Sequence, residues 1–452
     1  MGSNWKTTKL LDHYDIRSGL SKPAKDFGSG YPFLTFKDIF YNYFTPDELG
    51  DLVQSNDKER ENCSVKRGDV FLTRTSETMH ELGMSCVALQ DYENATFNGF
   101  CKRLRPHNNS ELAPEYVGYY LRSSKFRQSM LAFSTMSTRA SLNNEMIGRL
   151  EISYPSKNEQ IEIARVLKNL DNKIALNRQI NQTLEQMAQA LFKSWFVDFD
   201  PVIDNALDAG FFEQDLEFAD ELLRRAEARK AVRKNTDFKP LPEDIRQLFP
   251  AAFEECSEPS LGFSGWVPQG WIAAPLTTVA NIVYGKNLPK TKILNEGYPV
   301  YGGNGVIGSY SHYLYKKPQV LISCRGAASG KVHWTKPFCF VTNNSLVIEE
   351  KNISSLYIYY SLLQQDLTNL TSGSAQPQMT IANLNPVNVL LPKNEIISRF
   401  VRHAQDLQTS CEARKIECEM LSTLRDTLLP KLISGELRLS DIEADTTDEV
   451  LA

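Results

Sequence analysis

The stretch KNEQIEIARVLKNLDNKIALNRQINQTLEQMAQALFKSWF, residues 157–196, carries mostly apolar residues at alternating steps of four and three. This heptad spacing is typical of a helix that buries one seam against another helix. The seam residues are Ile163, Leu167, Leu170, Ile174, Asn177, Asn181, Leu184, Ala188, Leu191 and Trp195. A helix of this length spans about 60 Å at ~1.5 Å per residue, which is too long for the inside of a small domain. The stretch therefore predicts a long helix with a helical partner.

A second stretch, residues 393–433, keeps the same register 237 residues later, and both seams are polar or small near the middle, at Asn177, Asn181, Arg414 and Cys418. Because two copies of one helix can pair, and polar seam positions fix their register, we expect an antiparallel coiled coil of helices 157–196 and 393–433. The alternative is that each helix packs on its own globular segment. The predicted helix-pairing residues are Leu167, Leu170, Ile174, Leu184, Leu191, Ala404, Leu407, Leu421 and Leu428.

The segments that precede the two helices also repeat. Trp5 and Gly19 return as Trp271 and Gly285, both 266 residues later. A strand-like run ends in Arg74 in the first copy, and a similar run ends in Arg325 in the second. Short apolar runs between Gly, Asn and Pro turns indicate β-rich segments. The sequence predicts an α+β protein, with two similar mixed α/β domains at 1–156 and 261–392 held apart by the coiled coil as a pseudo-two-fold internal repeat.

Charge is distributed unevenly along the chain. The net charge of −5 comes mainly from an acidic connector, residues 197–260, with 8 basic and 16 acidic residues, and from an acidic tail, residues 434–452, with 1 basic and 6 acidic residues. The second domain has 9 basic and 4 acidic residues, whereas the first has 19 of each. Net charge is therefore no argument for or against nucleic-acid binding. We expect the connector to be a surface excursion and the tail to be solvated.

Motifs for catalysis, metal binding and export are missing from the sequence. Gly326–Lys331 is one residue too short for a phosphate-binding loop and has Val332 where Ser or Thr is needed. No two of the eight cysteines have C-x-x-C spacing, and no histidine has a metal-spaced partner. We therefore expect no catalytic residue, metal or cofactor in this chain. No apolar run approaches the roughly 18 residues of a membrane span, and no export signal opens the chain, which favours the cytoplasm.

Four phrases complete the sequence pattern: LFKSWFVDFDP at 191–201, LFP at 248–250, SGSAQPQ at 372–378 and LPKLISG at 429–435. Together with the repeat, which covers nearly the whole chain, they resemble the specificity subunits of type I restriction-modification systems. The first copy departs from this pattern, since STRASL at 137–142 stands where the second copy has its Gln-rich turn. The resemblance implies two target-recognition domains separated by two conserved spacer helices.

The resemblance also implies a function and partners. Such a subunit is non-catalytic and binds double-stranded DNA at a two-part target. Two modification subunits methylate adenine and two restriction subunits hydrolyse ATP and cleave DNA. S-adenosylmethionine, ATP and magnesium are then cofactors of those partners. The alternative is a two-domain protein-binding scaffold that does not read DNA.

Two further groups of residues are candidates for contacts. Loop residues that can donate or accept hydrogen bonds are predicted to bind DNA: Arg74, Thr75, Ser76, Ser137, Thr138, Arg139, Asn304, Arg325, Ser329, Lys331, Asn343, Asn344, Gln376 and Gln378. Apolar residues outside the helix seams are predicted to contact the partner subunits: Ile161, Val166, Ile180, Met187, Phe192, Val401, Ile416, Met420, Leu424 and Leu429.

Overall fold

The structure, a computed structural model, describes residues 5–76, 81–132, 140–256, 258, 261–373 and 377–439. The chain divides into two compact units. Unit 1 contains residues 1–178 and 415–452, and unit 2 contains residues 179–414. Each long helix therefore begins in one unit and ends in the other.

The described strands and helices of unit 1 come mainly from the first repeat. Its strands are β1 (Lys6–Lys9), β2 (Tyr14–Ser18), β3 (Phe27–Leu34), β4 (Asp51–Val53), β5 (Val70–Thr73), β6 (Thr75–Ser76), β7 (Ser85–Val87), β8 (Thr96–Phe97), β9 (Cys101–Pro106), β10 (Ala140–Ser141) and β11 (Glu151–Tyr154). Its helices are α1 (Phe36–Tyr41), α2 (Asp57–Asn62), α3 (Pro114–Arg122), α4 (Ser124–Ala132), α5 (Asn144–Gly148) and the first part of α6 (Lys157–Phe196).

The described elements of unit 2 come from the connector and the second repeat. Its helices are α7 (Asp200–Asp208), α8 (Asp220–Arg233), α9 (Glu243–Arg246), α10 (Leu276–Val279), α11 (Ser355–Leu363) and the first part of α12 (Asn394–Ser434). Its strands are β12 (Phe253–Glu255), β13 (Trp266–Pro268), β14 (Ile272–Pro275), β15 (Ala280–Tyr284), β16 (Tyr298–Gly302), β17 (Gly305–Tyr310), β18 (Val320–Ser323), β19 (Val332–Trp334), β20 (Phe340–Val341), β21 (Ser345–Glu350) and β22 (Asn388–Leu391).

The two units share one sheet topology. A four-stranded antiparallel sheet has the order β2-β9-β5-β7 in unit 1 and β15-β21-β18-β19 in unit 2. A three-stranded sheet has the order β4-β3-β8 or β17-β16-β20, and its last pair is parallel in both units. The first and last strands of each repeat pair as β1-β11 and β14-β22. The internal repeat predicted from the sequence is therefore confirmed in the strand order.

The glycines that mark the repeat occupy the same tight position in each copy. A Cβ atom on Gly19 would lie 2.2 Å from the carbonyl oxygen of Asn98, and one on Gly285 would lie 2.2 Å from that of Thr342. Such a contact is far inside van der Waals distance, so a side chain at either position would push the backbone apart. The glycine lets the chain after the first strand of the sheet run directly against the turn that precedes β9 or β21.

Helices α3 and α11 each contain an aromatic patch, YVGYYL at 116–121 in α3 and YIYYSL at 357–362 in α11. The Tyr116 hydroxyl donates a hydrogen bond to the carbonyl of Ser153 (2.9 Å), and the Tyr357 hydroxyl donates one to the carbonyl of Leu390 (2.5 Å). Both tyrosines are buried. Each patch therefore attaches its helix to the closing strand of the repeat, from which a long helix starts.

The long helices, α6 with 40 residues and α12 with 41, pair inside each unit. In unit 1, Asn177 Nδ2 donates to Glu417 Oε2 at 2.8 Å, and Arg425 Nη1 donates to Asp171 Oδ1 at 2.7 Å. Residue numbers rise along one helix as they fall along the other, so the helices are antiparallel.

The same direction holds in unit 2. There, the Cys411 thiol lies 3.8 Å from the carbonyl of Asn181, and the rings of Phe192 and Phe400 have centroids 5.3 Å apart. The predicted antiparallel helix pair is confirmed, and the second helix begins at Asn394.

Both helices also pack on globular domains, as the alternative reading proposed. Leu167 of α6 and Leu432 of α12 are buried in the same cluster as Leu10 of unit 1. Phe192 and Phe400 are buried in the large core of unit 2. Each helix thus packs on its own domain near its N-terminus and on the domain of the other repeat near its C-terminus.

The connector is not the surface excursion that its acidity suggested. Val202, Ile203 and Phe249 are buried in the core of unit 2. Its charges form a network between α7 and α8, with ion pairs Arg229–Asp204 (2.7 Å), Arg225–Asp200 (3.2 Å) and Arg233–Asp208 (2.5 Å). The prediction was wrong because opposite charges on the two helices pair with each other and leave the apolar faces free to pack.

Candidate nucleic-acid interface

Four segments of unit 2 that are distant in sequence meet beside the end of β18. Cys324 N donates to Asn344 O at 2.9 Å, which joins the loop after β18 to the turn before β21. The Ser323 hydroxyl donates to the carbonyl of Gly303, in the turn between β16 and β17. Gly326 N donates to the carbonyl of Pro377 at 3.1 Å. These bonds bring predicted DNA-binding residues from separate segments to one place.

A surface depression of ≈ 540 Å³ lies at this place. Four predicted residues line it: Asn304, Arg325, Lys331 and Asn344. Asn304, Arg325 and Lys331 are exposed, and Asn344 is half-buried. The remaining lining residues are Gly303, Gly326, Ala327 and Ala328, whose small side chains leave the polar groups accessible.

The depression is electropositive. Its described lining includes the cations Arg325 and Lys331 but no carboxylate. Burial, and to a lesser extent the neighbouring Lys331, lowers the pKa of His333. Another cation, Lys286, lies beside this site because its carbonyl accepts a hydrogen bond from Asn343 N at 3.1 Å. Lys286 was not among the predicted residues, although it directly follows the repeated Gly285.

Ser329 has a structural role, contrary to its prediction as a DNA contact. It is 4% exposed, and its hydroxyl donates to the carbonyl of Pro377 at 2.7 Å. This inward bond fixes the loop. Gln378 is exposed, and its backbone pairs with those of Arg325 and Ser372. Asn343 is half-buried, and Gln376 lies outside the described residues.

The equivalent place in unit 1 lies after β5. Arg74 N donates to Phe100 O (2.9 Å), and Arg74 O accepts from Leu142 N (2.8 Å). Arg74 and Thr75 are half-buried, and Thr75 pairs with Ser141 in the β6-β10 ladder. Burial, followed by the nearby Arg74 guanidinium, lowers the pKa of Lys102, so two cations lie close together here. The side chain of Ser76 and all of Ser137, Thr138 and Arg139 lie outside the described residues.

The backbone hydrogen bonds show which residues of the two repeats are equivalent at this point. Cys324 N donates to Asn344 O, and Cys324 O accepts from Met379 N. Arg74 makes the same two backbone bonds in unit 1, where its N donates to Phe100 O and its O accepts from Leu142 N. Arg74 is therefore equivalent to Cys324, and Thr75 is equivalent to Arg325. The two arginines that end the strand-like runs are therefore not equivalent, and their positions differ by one residue. That shift moves a side chain to the other side of an extended chain.

The predicted helix residues fall into groups of different exposure. Of the pairing set, Leu167, Ile174 and Ala404 are buried, and Leu170, Leu184, Leu191, Leu407, Leu421 and Leu428 are half-buried. Of the partner-contact set, Ile161, Met187, Ile416, Met420 and Leu424 are exposed, and Val166, Ile180 and Val401 are half-buried.

Phe192 and Leu429 do not belong to a free surface. They are 2% and 6% exposed, because each packs in the core of its own unit. Their prediction as partner contacts was wrong, since periodicity alone does not distinguish a core-facing side chain from an interface-facing one. Leu176, which was not predicted, is 49% exposed on α6.

Within the described ranges, no group of three or more His, Cys, Asp or Glu side chains is arranged to hold a metal ion. In the same residues, no helix is both long and apolar enough to cross a membrane.

Comparisons with known proteins agree over most of the chain. The family model described as "Type I restriction modification DNA specificity domain" matches residues 2–186 and 268–417. The HindI specificity subunit of Haemophilus influenzae, a type I restriction enzyme subunit, is 28% identical over 96% of this chain and 100% of its own. The MjaIX specificity subunit of Methanocaldococcus jannaschii is 23% identical over 97% of this chain and 95% of its own.

A solved structure has the same fold. The type I restriction-modification S subunit of M. genitalium superposes with a TM-score of 0.54 at 16% identity, covering 96% of this chain and 97% of that one. The curated relatives are named as specificity subunits, in agreement with the expectation of a non-catalytic subunit. With two family-model matches, a repeated sheet topology and an antiparallel helix pair, the chain belongs to the type I restriction-modification DNA specificity domain family.

Proposed function

We propose that the chain recognises a two-part DNA sequence, with each repeated domain reading one part. The observation that carries this proposal is that two copies of one strand arrangement present loops at equivalent strand ends, and that one of these loop clusters is an electropositive depression lined by Arg and Asn side chains. An arginine can bond guanine bidentately and an asparagine can bond adenine, whereas lysine more often contacts phosphate. The side-chain types of the cluster suit sequence readout.

We infer that modification subunits bind the exposed apolar residues of the helices. On α12, Ile416, Met420 and Leu424 are four residues apart and are 56%, 67% and 46% exposed. Residues spaced by four lie on one helical face, so these side chains form a stripe. A stripe of this kind without a cover is typical of an interaction surface.

The partners would supply the chemistry in the cytoplasm. Modification subunits would carry S-adenosylmethionine and methylate adenine, and restriction subunits would use ATP and magnesium to cleave DNA. This chain would direct both activities to its target. Two copies of each partner match the two-fold repetition of the chain.

The test of DNA reading is a domain replacement. The chain is produced with its modification subunit, and methylated adenines are mapped on genomic DNA. Residues 261–392 are then replaced by the corresponding domain of another family member. Because the domains are separate readers in this proposal, we expect one half of the methylated sequence to change, while the other half and the spacing stay the same.

Three results would contradict the proposal in different ways. Changes in both halves, or in the spacing, would exclude two independent readers. Methylation without sequence preference would exclude readout by this chain. Binding of partner proteins without any DNA binding would favour the protein-binding scaffold.

A further inference from the structure

The turn between β8 and β9 in unit 1 exposes the side chain of a phenylalanine to solvent. Phe100 is 61% exposed. Its amide donates to Asn98 Oδ1 at 2.8 Å, and Cys101 N donates to Asn98 O at 3.0 Å. Gly99 N donates to Leu20 O at 2.9 Å, and a Cβ on Gly99 would lie 2.2 Å from the Ser21 hydroxyl. The turn is thus fixed from within and from the neighbouring segment, so the ring is presented to the outside.

Phe100 occupies the position that Asn344 occupies in unit 2. Each residue accepts a backbone hydrogen bond from the residue that follows β5 or β18, at 2.9 Å in both units. Asn344 lines the electropositive depression with Arg325 and Lys331. In unit 1, the carbonyl oxygen of Phe100 accepts its hydrogen bond from the backbone amide of Arg74, a predicted DNA-binding residue. Phe100 therefore places an exposed phenyl ring at the backbone position that is equivalent to Asn344, a predicted reading residue.

The two side chains suit different bases. An amide can donate to and accept from an adenine edge, whereas a phenyl ring can only make apolar contact, for which the major groove offers the thymine methyl group. We propose that Phe100 is a specificity-determining residue of the first domain that contacts the 5-methyl group of a thymine. This inference rests on the proposed function, since it names a contact at the proposed reading site.

The test removes one methyl group from the DNA. Once the target has been mapped by methylation, duplexes are made in which each thymine of the first half is replaced in turn by deoxyuridine. Binding of the full-length chain with its modification subunit is measured by competition. We expect deoxyuridine at one position to weaken binding about fourfold, the effect of losing one buried methyl-sized group. For Phe100→Ala, the thymine and deoxyuridine duplexes should bind equally.

Controls separate a contact from a loss of folding. Phe27→Ala makes the same change at another exposed phenylalanine, which is 40% exposed. Phe27 begins β3, whereas it is the opposite end of β3, at Leu34, that pairs with Phe97 beside the turn of Phe100. This variant should keep the full response to deoxyuridine. Deoxyuridine in the second half of the target should act equally on the original chain and on Phe100→Ala.

The outcomes distinguish the inference from the function on which it rests. If the complex binds its target specifically but no deoxyuridine in the first half weakens binding, or if Phe100→Ala responds as the original chain does, the contact is wrong and the proposed function stands. If the complex shows no sequence preference, the proposed function itself fails. Insertion of the ring between bases would appear as target bending that Phe100→Ala abolishes, without a deoxyuridine effect, and would also overturn the methyl contact.

Discussion

Arg325 and Lys331 carry the same charge on one loop, but their surroundings differ. Arg325 is bridged to Gln378 through its backbone, which fixes the origin of its side chain beside the amides of Asn304 and Asn344. The loop that ends at Lys331 is closed by the inward bond of Ser329 to Pro377. Because the backbone is held at both residues, their chemistry distinguishes them: a planar guanidinium suits bidentate base contact, whereas an ammonium on a flexible stem suits phosphate.

Alanine substitutions at these two residues should therefore act differently. Arg325→Ala should relax the choice at one base pair of the second half, with a loss of about 1 to 3 kcal/mol for the mapped target. Lys331→Ala should weaken binding to all DNA alike and reduce the slope of log affinity against log salt concentration by about one. Lys351→Ala is the charge-matched control, since Lys351 is exposed and lies outside the depression. Equal effects of Arg325→Ala on target and unrelated duplexes would argue against base readout.

At this scale the sequence predicted part of the site. Gly- and Asn-rich turns identified Asn304, Arg325, Lys331 and Asn344, because such turns occur where loops present polar groups. Ser329 was misassigned because a hydroxyl can serve an inward bond as well as an outward one. Phe100, the residue of our further proposal, was not among the predictions, because only side chains that form hydrogen bonds were considered. Neither direction nor exposure of a side chain is encoded in a local motif.

The long helices and the connector show what a pattern can predict for an element. The heptad spacing predicted α6 and α12 correctly, because apolar residues recur at steps of four and three over 40 residues or more. The connector was misjudged from its composition, although Asp200, Asp204 and Asp208 are four residues apart on α7, as are Arg225, Arg229 and Arg233 on α8. A row of carboxylates on one helix and a matching row of guanidiniums on the next predict that the two helices pack together. The total charge of the connector does not reveal this pattern.

The connector network should contribute measurably to the stability of unit 2. Asp204 accepts from Arg229 Nε at 3.0 Å and from Arg229 Nη2 at 2.7 Å. Asp204→Asn would remove the carboxylate that accepts both of these hydrogen bonds and leave the partly buried guanidinium with only the more distant Asp200, at 3.6 Å. We therefore expect a loss of about 2 kcal/mol in the free energy of unfolding. Urea unfolding followed by tryptophan fluorescence would measure this loss. Asp237→Asn, an equal charge change at an exposed side chain, should have no more than a slight effect. Equal stabilities of the two variants would show that the network is dispensable.

Besides two similar domains, the described part of the chain contains an exposed apolar stripe on α12, formed by Ile416, Met420 and Leu424. We expect Met420→Glu, in the middle of that stripe, to weaken binding of the modification subunit at least about tenfold, because a charge in the centre of an apolar interface would be desolvated. Leu216→Glu is the matched control, since Leu216 is 47% exposed in the connector. Pull-down and native mass spectrometry of both variants measure the association. Full binding by Met420→Glu would place the partner elsewhere.

Each compact unit takes helix segments from distant parts of the chain, and this arrangement affects the order in which a newly made protein can fold. Unit 2 is continuous, from residue 179 to residue 414, whereas unit 1 also needs residues from 415 onward. Leu429, Leu432 and Ile433 are buried in the cluster that contains Leu10 and Tyr14. A ribosome that adds about 5 to 20 residues per second needs tens of seconds to proceed from residue 178 to these three buried residues. We therefore expect the second domain to be finished first, while the first domain, although made earlier, waits on the ribosome with part of its apolar core uncovered.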